Sequence, residues 1–201
     1  MFMLKKQTKV LAAVAIMTLC LTTEIAVDKQ VVCAQEKPQM AMEQVKSAVL
    51  AESYNDQGII YAKQHFYEMA RQDFLQAIAL AESQNRINIY NNNLAMVTKD
   101  LGNYEEALKI INKVLTNDEN MPSALNTKGD ILVSMKQYDA AVSIITKAIT
   151  LRPEDGTSYY IRGRAREGLK QLSLAREDYK KAASLPSDYQ KEAKIRLKDL
   201  Q

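Results

Sequence analysis

The fold turns on residues 122–155, PSALNTKGDILVSMKQYDAAVSIITKAITLRPED. Small side chains stand at its eighth, twentieth and twenty-seventh positions: Gly129, Ala141 and Ala148. A bulky Ile145 occupies the twenty-fourth, and Pro153 stops the second apolar run. Two short helices can approach closely only where side chains are small, and a bulky residue then fills the space between the contacts. Working outward, the same register recurs in 51–84, 88–121 and 156–189. The eighth positions there are Gly58, Ala95 and Gly163, the twentieth Ala70, Ala107 and Ala175, and the twenty-seventh Ala77, Val114 and Ala182. Phe74, Ile111 and Tyr179 take the bulky position. Asn85, Arg86 and Ile87 form an insertion between the first two units.

A 34-residue period with small residues at these three positions resembles the tetratricopeptide repeat. The resemblance covers residues 51–189 and implies an all-α, right-handed α-solenoid of four stacked helix-turn-helix repeats. A single repeat cannot bury both of its faces, so units must stack and the ends must be capped. In the second unit Asp100-Leu101-Gly102-Asn103-Tyr104 reads as the turn between helices. His65, Lys136 and Lys170 stand where that turn usually has glycine, and Arg166 replaces a large apolar residue. Residues 187–201 are expected to form a capping helix started by Ser187, with Ala193, Leu197 and Leu200 on its packed side. Met42, Val45, Val49 and Leu50 have helical spacing within 35–50, a tether or an extension of the first repeat helix.

The first 34 residues are of another kind. Lys5, Lys6 and Lys9 precede an uncharged run, Val10 to Thr23, that is short for a membrane span. That layout matches a secretory signal, and Val32-Cys33-Ala34 offers a cut that leaves Gln35 first. An uncleaved anchor associating with a membrane through 10–23 is the alternative. Neither Cys20 nor Cys33 follows a lipobox. The expected location is therefore outside the cytoplasm.

Composition excludes most chemistry. The 201 residues include two Cys and one His, and both Cys lie in the leader. No phosphate-binding glycine loop, HExxH pair or GxSxG elbow is present. Asp118-Glu119 and Glu154-Asp155 fall at unit boundaries, where loop acids are ordinarily solvated. The expectation is a non-enzyme without cofactor or metal. A net charge of +3 gives no reason to expect nucleic acid. Residues 152–201 carry 12 Lys/Arg against 8 Asp/Glu, and 35–151 carry 11 against 14, so the C-terminal end is the basic one.

The resemblance further implies a concave groove, lined by the first helices, that holds a protein or peptide segment. Its groove positions place Asn55, Asn92, Asn126 and Tyr160 at the fifth residue of each unit, Asn93 at the sixth, and Met96, Asp130 and Arg164 at the ninth. Successive amides can pair with both groups of an extended backbone without reading its side chains. The positions that grip a chaperone's C-terminal carboxylate in some family members hold no cation here, so that clamp is not expected. A structural role as a tethered scaffold, using the convex face or the ends, is the alternative function.

Overall fold

The computed structural model describes residues 42–200. The leader, its cleavage site and the first part of the tether lie outside them. The contacts divide the chain into two units, Met1–Ser47 and Ala48–Gln201, and the repeats belong to the second. Among the described residues there are nine helices and no strand. α1 covers 42–63, followed by α2 (Tyr67–Leu80), α3 (Gln84–Asp100), α4 (Tyr104–Asn117) and α5 (Pro122–Ser134). Then come α6 (Tyr138–Leu151), α7 (Gly156–Gly168), α8 (Leu172–Ser184) and α9 (Gln190–Asp199).

Each repeat is a helical hairpin closed by its small residues. Ala70, Ala107, Ala141 and Ala175 are fully buried, as are Ala77, Ala148 and Ala182, with Val114 nearly so. The bulky residue of each second helix sits on the eighth position of the first. A Cβ on Gly58 would meet the Phe74 ring at 2.8 Å, and one on Gly163 would meet the Tyr179 ring at 2.7 Å. Consecutive hairpins stack through α2 on α3, α4 on α5 and α6 on α7, and the first helices also touch, α3 on α5 and α5 on α7. The result is the all-α solenoid implied by the repeat register.

The four turns inside the repeats share one geometry despite different residues. His65, Lys136 and Lys170 have φ of 63°, 60° and 63°, and Gly102 has 85°. In each turn the next residue's N–H donates to the carbonyl five residues back, as Asn103 does to Thr98 and Gln137 to Leu132. This is the helix-ending motif that glycine ordinarily serves.

Three details add to or differ from the sequence expectations. The insertion 85–87 is helical and forms the first turn of α3, where Ser83 accepts from the Arg86 N–H at 3.3 Å. Ser187 does not cap α9. That helix begins after Tyr189 without a side-chain cap, and Ser187 Oγ is buried without a hydrogen bond. Arg166, standing where a large apolar residue is usual, meets a carboxylate. Arg162 and Arg166 both donate to the buried Asp178 carboxylate of α8, at 2.8–3.0 Å for the closest contacts, so an ion cluster replaces apolar packing. α9 covers the last hairpin through Ala193, with Leu197 and Leu200 beside it.

Candidate functional site: a groove along the first helices

The fifth-position asparagines fall where successive first helices meet, and that decides their role. Asn55, Asn92 and Asn126 are buried. Each offers its carbonyl oxygen to the next repeat: Asn55 accepts from Asn93 Nδ2, Asn92 from Thr127 Oγ1, and Asn126 from Ser158 Oγ, all at 2.8 Å. A buried amide left unpaired would cost about 1–3 kcal/mol, so these bonds tie neighbouring units together. Asn126 also donates to Asp155 Oδ2 at 2.6 Å. The ladder expected to face a peptide is thus largely engaged between repeats. The Asn92 amide nitrogen is the exception: it has only Met96 Sδ beside it, at 4.0 Å, and it lines the groove.

A second cross-repeat chain joins the ninth-position Asp130 and Arg164 to Lys99, at a twelfth position. Asp130 on α5 is paired with Lys99 of α3 at 2.5 Å and with Arg164 of α7. Lys99 also reaches Asp100 at 2.9 Å. Burial works against both cations, but Asp130 outweighs it and holds the Lys99 ammonium and the Arg164 guanidinium above their ordinary ranges. Arg164 additionally lies over the Tyr160 ring. Met96, by contrast, is 41% exposed.

Tyr160 lies at the C-terminal end of the groove. It stacks on Tyr189 with ring centroids 4.7 Å apart and planes within 7°. Tyr189 belongs to the connector between α8 and α9. Burial first, and then Asp130, raise its phenol above the ordinary tyrosine range. The neighbouring Asp188 is exposed.

Two adjoining cavities result. One, of about 400 Å3, lies beside α1 and is lined by Ile59, Ala62, Phe74, Met96 and Val97, with Lys63, Asn93, Asp100 and Asp188. The other, of about 260 Å3, is lined by Asn92, Met96, Lys99, Asn126, Thr127 and Asp130, by Ser123, Arg152, Asp155, Thr157 and Ile161, and by Asp188 and Tyr189. Met96 and Asp188 line both. Of the eight residues expected to form the groove, Asn92, Met96, Asn126 and Asp130 line the second cavity and Asn93 the first. Asn55, Tyr160 and Arg164 line neither but support residues that do. Ser123 and Thr157, at second positions, and Lys99, at a twelfth, line the second cavity as well. Asp188 and Tyr189 could not be found from the groove pattern, because they are the last two positions of the fourth unit, beyond the first-helix positions of that pattern.

Among the described residues there is no cluster of His, Cys, Asp and Glu that could hold a metal ion, and no helix long and apolar enough to cross a membrane. The unpaired groove groups are an amide, hydroxyls, a thioether and a few charges, a set suited to holding a peptide.

The chain is similar over 142 residues to the human protein O-mannosyl-transferase TMTC1, at 27% identity. That segment is 69% of this chain but only 16% of the relative. Among solved structures it resembles TTC0263, a thermophilic TPR protein of Thermus thermophilus (TM-score 0.67, 16% identity, 75% of this chain and 80% of that one). It also resembles YrrB, a TPR protein with an unusual peptide-binding site (TM-score 0.55, 21% identity, 77% of this chain and 76% of that one). The tetratricopeptide repeat model matches residues 90–121, 122–155 and 156–189 in unbroken succession. With the small-residue register, the stacked hairpins and these matches together, the chain belongs to the tetratricopeptide repeat family.

Proposed function

We propose that the chain is a non-catalytic protein-interaction module that holds an extended segment of a partner protein in the groove along α1, α3, α5 and α7, and that it does so outside the cytoplasm. The observation that carries this reading is the pair of adjoining cavities joined at the exposed Met96, each lined by apolar and polar side chains together. YrrB, whose fold this chain shares, has an unusual peptide-binding site, which supports a peptide as the kind of partner held here. Mannosyl transfer belongs to a relative of which this chain matches 16%, and nothing in the groove suggests a glycosyl-transfer site. The leader is what supports export.

The test begins with peptides selected from a random phage library on the folded protein. Their affinity is then measured for wild type and Met96→Arg by fluorescence anisotropy. Met96 is exposed, so the arginine should leave the helical circular dichroism intact while weakening capture at least tenfold, the loss of about 1.4 kcal/mol. Unchanged affinity would place binding elsewhere. Sequencing the N-terminus of the protein recovered from its own cells tests export: Gln35 as first residue supports release, and an intact leader supports a tether.

One observation favours a second reading, a scaffold docking through its outer helices. Phe66, Met69 and Leu75, in and just before α2, are 54%, 47% and 43% exposed. In that case Leu75→Asp, and not Met96→Arg, should abolish capture.

A further inference from the structure

The two cavities differ in chemistry, and one carboxylate stands where they meet. The cavity beside α1 has an apolar wall of Ile59, Ala62 and Phe74, with Met96 at its edge. Its volume of about 400 Å3 accommodates a leucine- or methionine-sized side chain. The other cavity offers amides and hydroxyls. Asp188 lines both.

Most acids in this groove are already engaged. Asp130 is held between Lys99 and Arg164, and Asp100 is paired with Lys99. Asp155 accepts from Asn126 and from the Thr157 N–H at 3.1 Å, and the Ser158 hydroxyl lies 2.8 Å away with its one proton shared between Asp155 and Asn126 Oδ1. Asp188 is different: it is exposed, and among the described residues no cation or donor reaches it. Lys63 lines only the first cavity and Arg152 only the second. A carboxylate without a bonded partner, lining a cavity that also has an apolar wall, favours a cation next to an apolar side chain, by direct charge complementarity.

We infer that the groove, if it holds a peptide as proposed above, takes an extended segment in which a bulky apolar side chain lies within two residues of a lysine or arginine. The apolar group enters the Ile59–Met96 cavity and the cation faces Asp188. Asp188 then sets specificity from the very end of the fourth repeat, through the connector that the Tyr160–Tyr189 stack pins against the groove.

The test uses three fluorescein-labelled ten-residue peptides, each with a central leucine flanked on both sides by lysine, glutamine or glutamate. Affinities are measured for the full-length chain by anisotropy at low and at physiological salt. Because the pair is solvent-exposed, the lysine peptide should bind roughly threefold tighter than the glutamine one and about tenfold tighter than the glutamate one, and the spread should shrink with salt. Asp188→Asn should flatten the order and Asp188→Lys should reverse it. An order that is the same in wild type and Asp188→Lys overturns the inference, as does a wild type that prefers glutamate. If a phage-selected peptide still loses affinity with Met96→Arg while the three probes ignore Asp188, this inference fails and the groove reading stands. If no peptide, selected or designed, is captured, both fail.

Discussion

At the scale of single residues, the inter-helix turns show sequence and backbone pulling apart. A left-handed conformation costs an L-residue roughly 1–2 kcal/mol, because its Cβ crowds the following carbonyl. His65, Lys136 and Lys170 bear that cost, and only Gly102 avoids it. Lys136→Gly should therefore raise stability by about 1 kcal/mol, part of the gain being offset by the extra freedom of glycine in the unfolded chain. In a chain of this size that corresponds to a thermal midpoint about 2–4 °C higher by circular dichroism. Gly102→Ala, at φ +85° with open space around the new methyl, should move the midpoint down by a similar amount. A lower midpoint for Lys136→Gly would mean that the lysine side chain stabilises the turn in a way its backbone does not reveal. The turn itself was legible because Gly102 marks it and the period carries the mark to the other units. No local feature of His65 or the two lysines announces a positive φ.

At the scale of the elements, the hairpins are set by contacts between fixed repeat positions, and most of that was legible as small-against-bulky spacing. Gly163 and Tyr179 show how tight the fit is. The Tyr179 ring is fully buried and its hydroxyl donates to Glu167 at 2.6 Å, so it cannot swing away from a methyl that would meet it at 2.7 Å. Gly163→Ala should lose a net 1–2 kcal/mol or so, overpacking exceeding the roughly 1 kcal/mol gain in helix propensity, as read from the urea midpoint. A stabilised variant would show that α7 and α8 can separate at no cost. The ion cluster between these helices was not legible. Arg166 reads as a defect in the repeat until Asp178 is seen to meet it, twelve residues away on the other helix. The first repeat has the same acid position without the cations. Asp73 Oδ2 is buried without a partner, and burial raises its carboxyl above the ordinary range. Charge on Asp73 is therefore less welcome in the folded chain than in the unfolded one. Its penalty is fully present at neutral pH, shrinks as pH falls through the raised folded-state value, and is gone below the ordinary aspartate range, near 3.9. Asp73→Ile, matching Ile110 and Ile144 at that position, should raise the thermal midpoint at pH 7 by more than it does at pH 3. An equal gain at both pH values would assign the effect to packing alone.

At the scale of the whole molecule, a repeat array is held by the terms between neighbours, and here those terms run along the groove itself. The Asn92–Thr127 and Asn126–Ser158 bonds each join two units, whereas the Lys99–Asp130–Arg164 chain joins three. Sequence reasoning found these residues and assigned them to a partner, because an amide or acid on a groove position looks the same whether it meets a peptide or the next helix. The distinction lies in how closely α3, α5 and α7 approach, which the repeat period does not encode. The connector is illegible for a different reason: Asp188 and Tyr189 close the fourth unit at positions that do not face a groove in the repeat pattern, and the stack of Tyr189 on Tyr160 brings them there. If the three-residue chain couples the units, Asp130→Asn should do more than lower stability. Removing the shared carboxylate leaves two partly buried cations facing one amide, a loss of about 2–3 kcal/mol, below the range for fully buried pairs because Arg164 is 30% exposed. It also weakens two interfaces at once, so the N-terminal hairpins and the C-terminal hairpins with α9 should begin to unfold separately. Urea unfolding followed at 222 nm should then show a smaller slope as well as a lower midpoint, since each step exposes less surface. Hydrogen exchange should lose protection in α3 and α7 before α6. A lower midpoint with an unchanged slope and uniform exchange would mean that the chain of charges adds stability without coupling, leaving cooperativity to the apolar contacts between α4 and α5 and between α6 and α7.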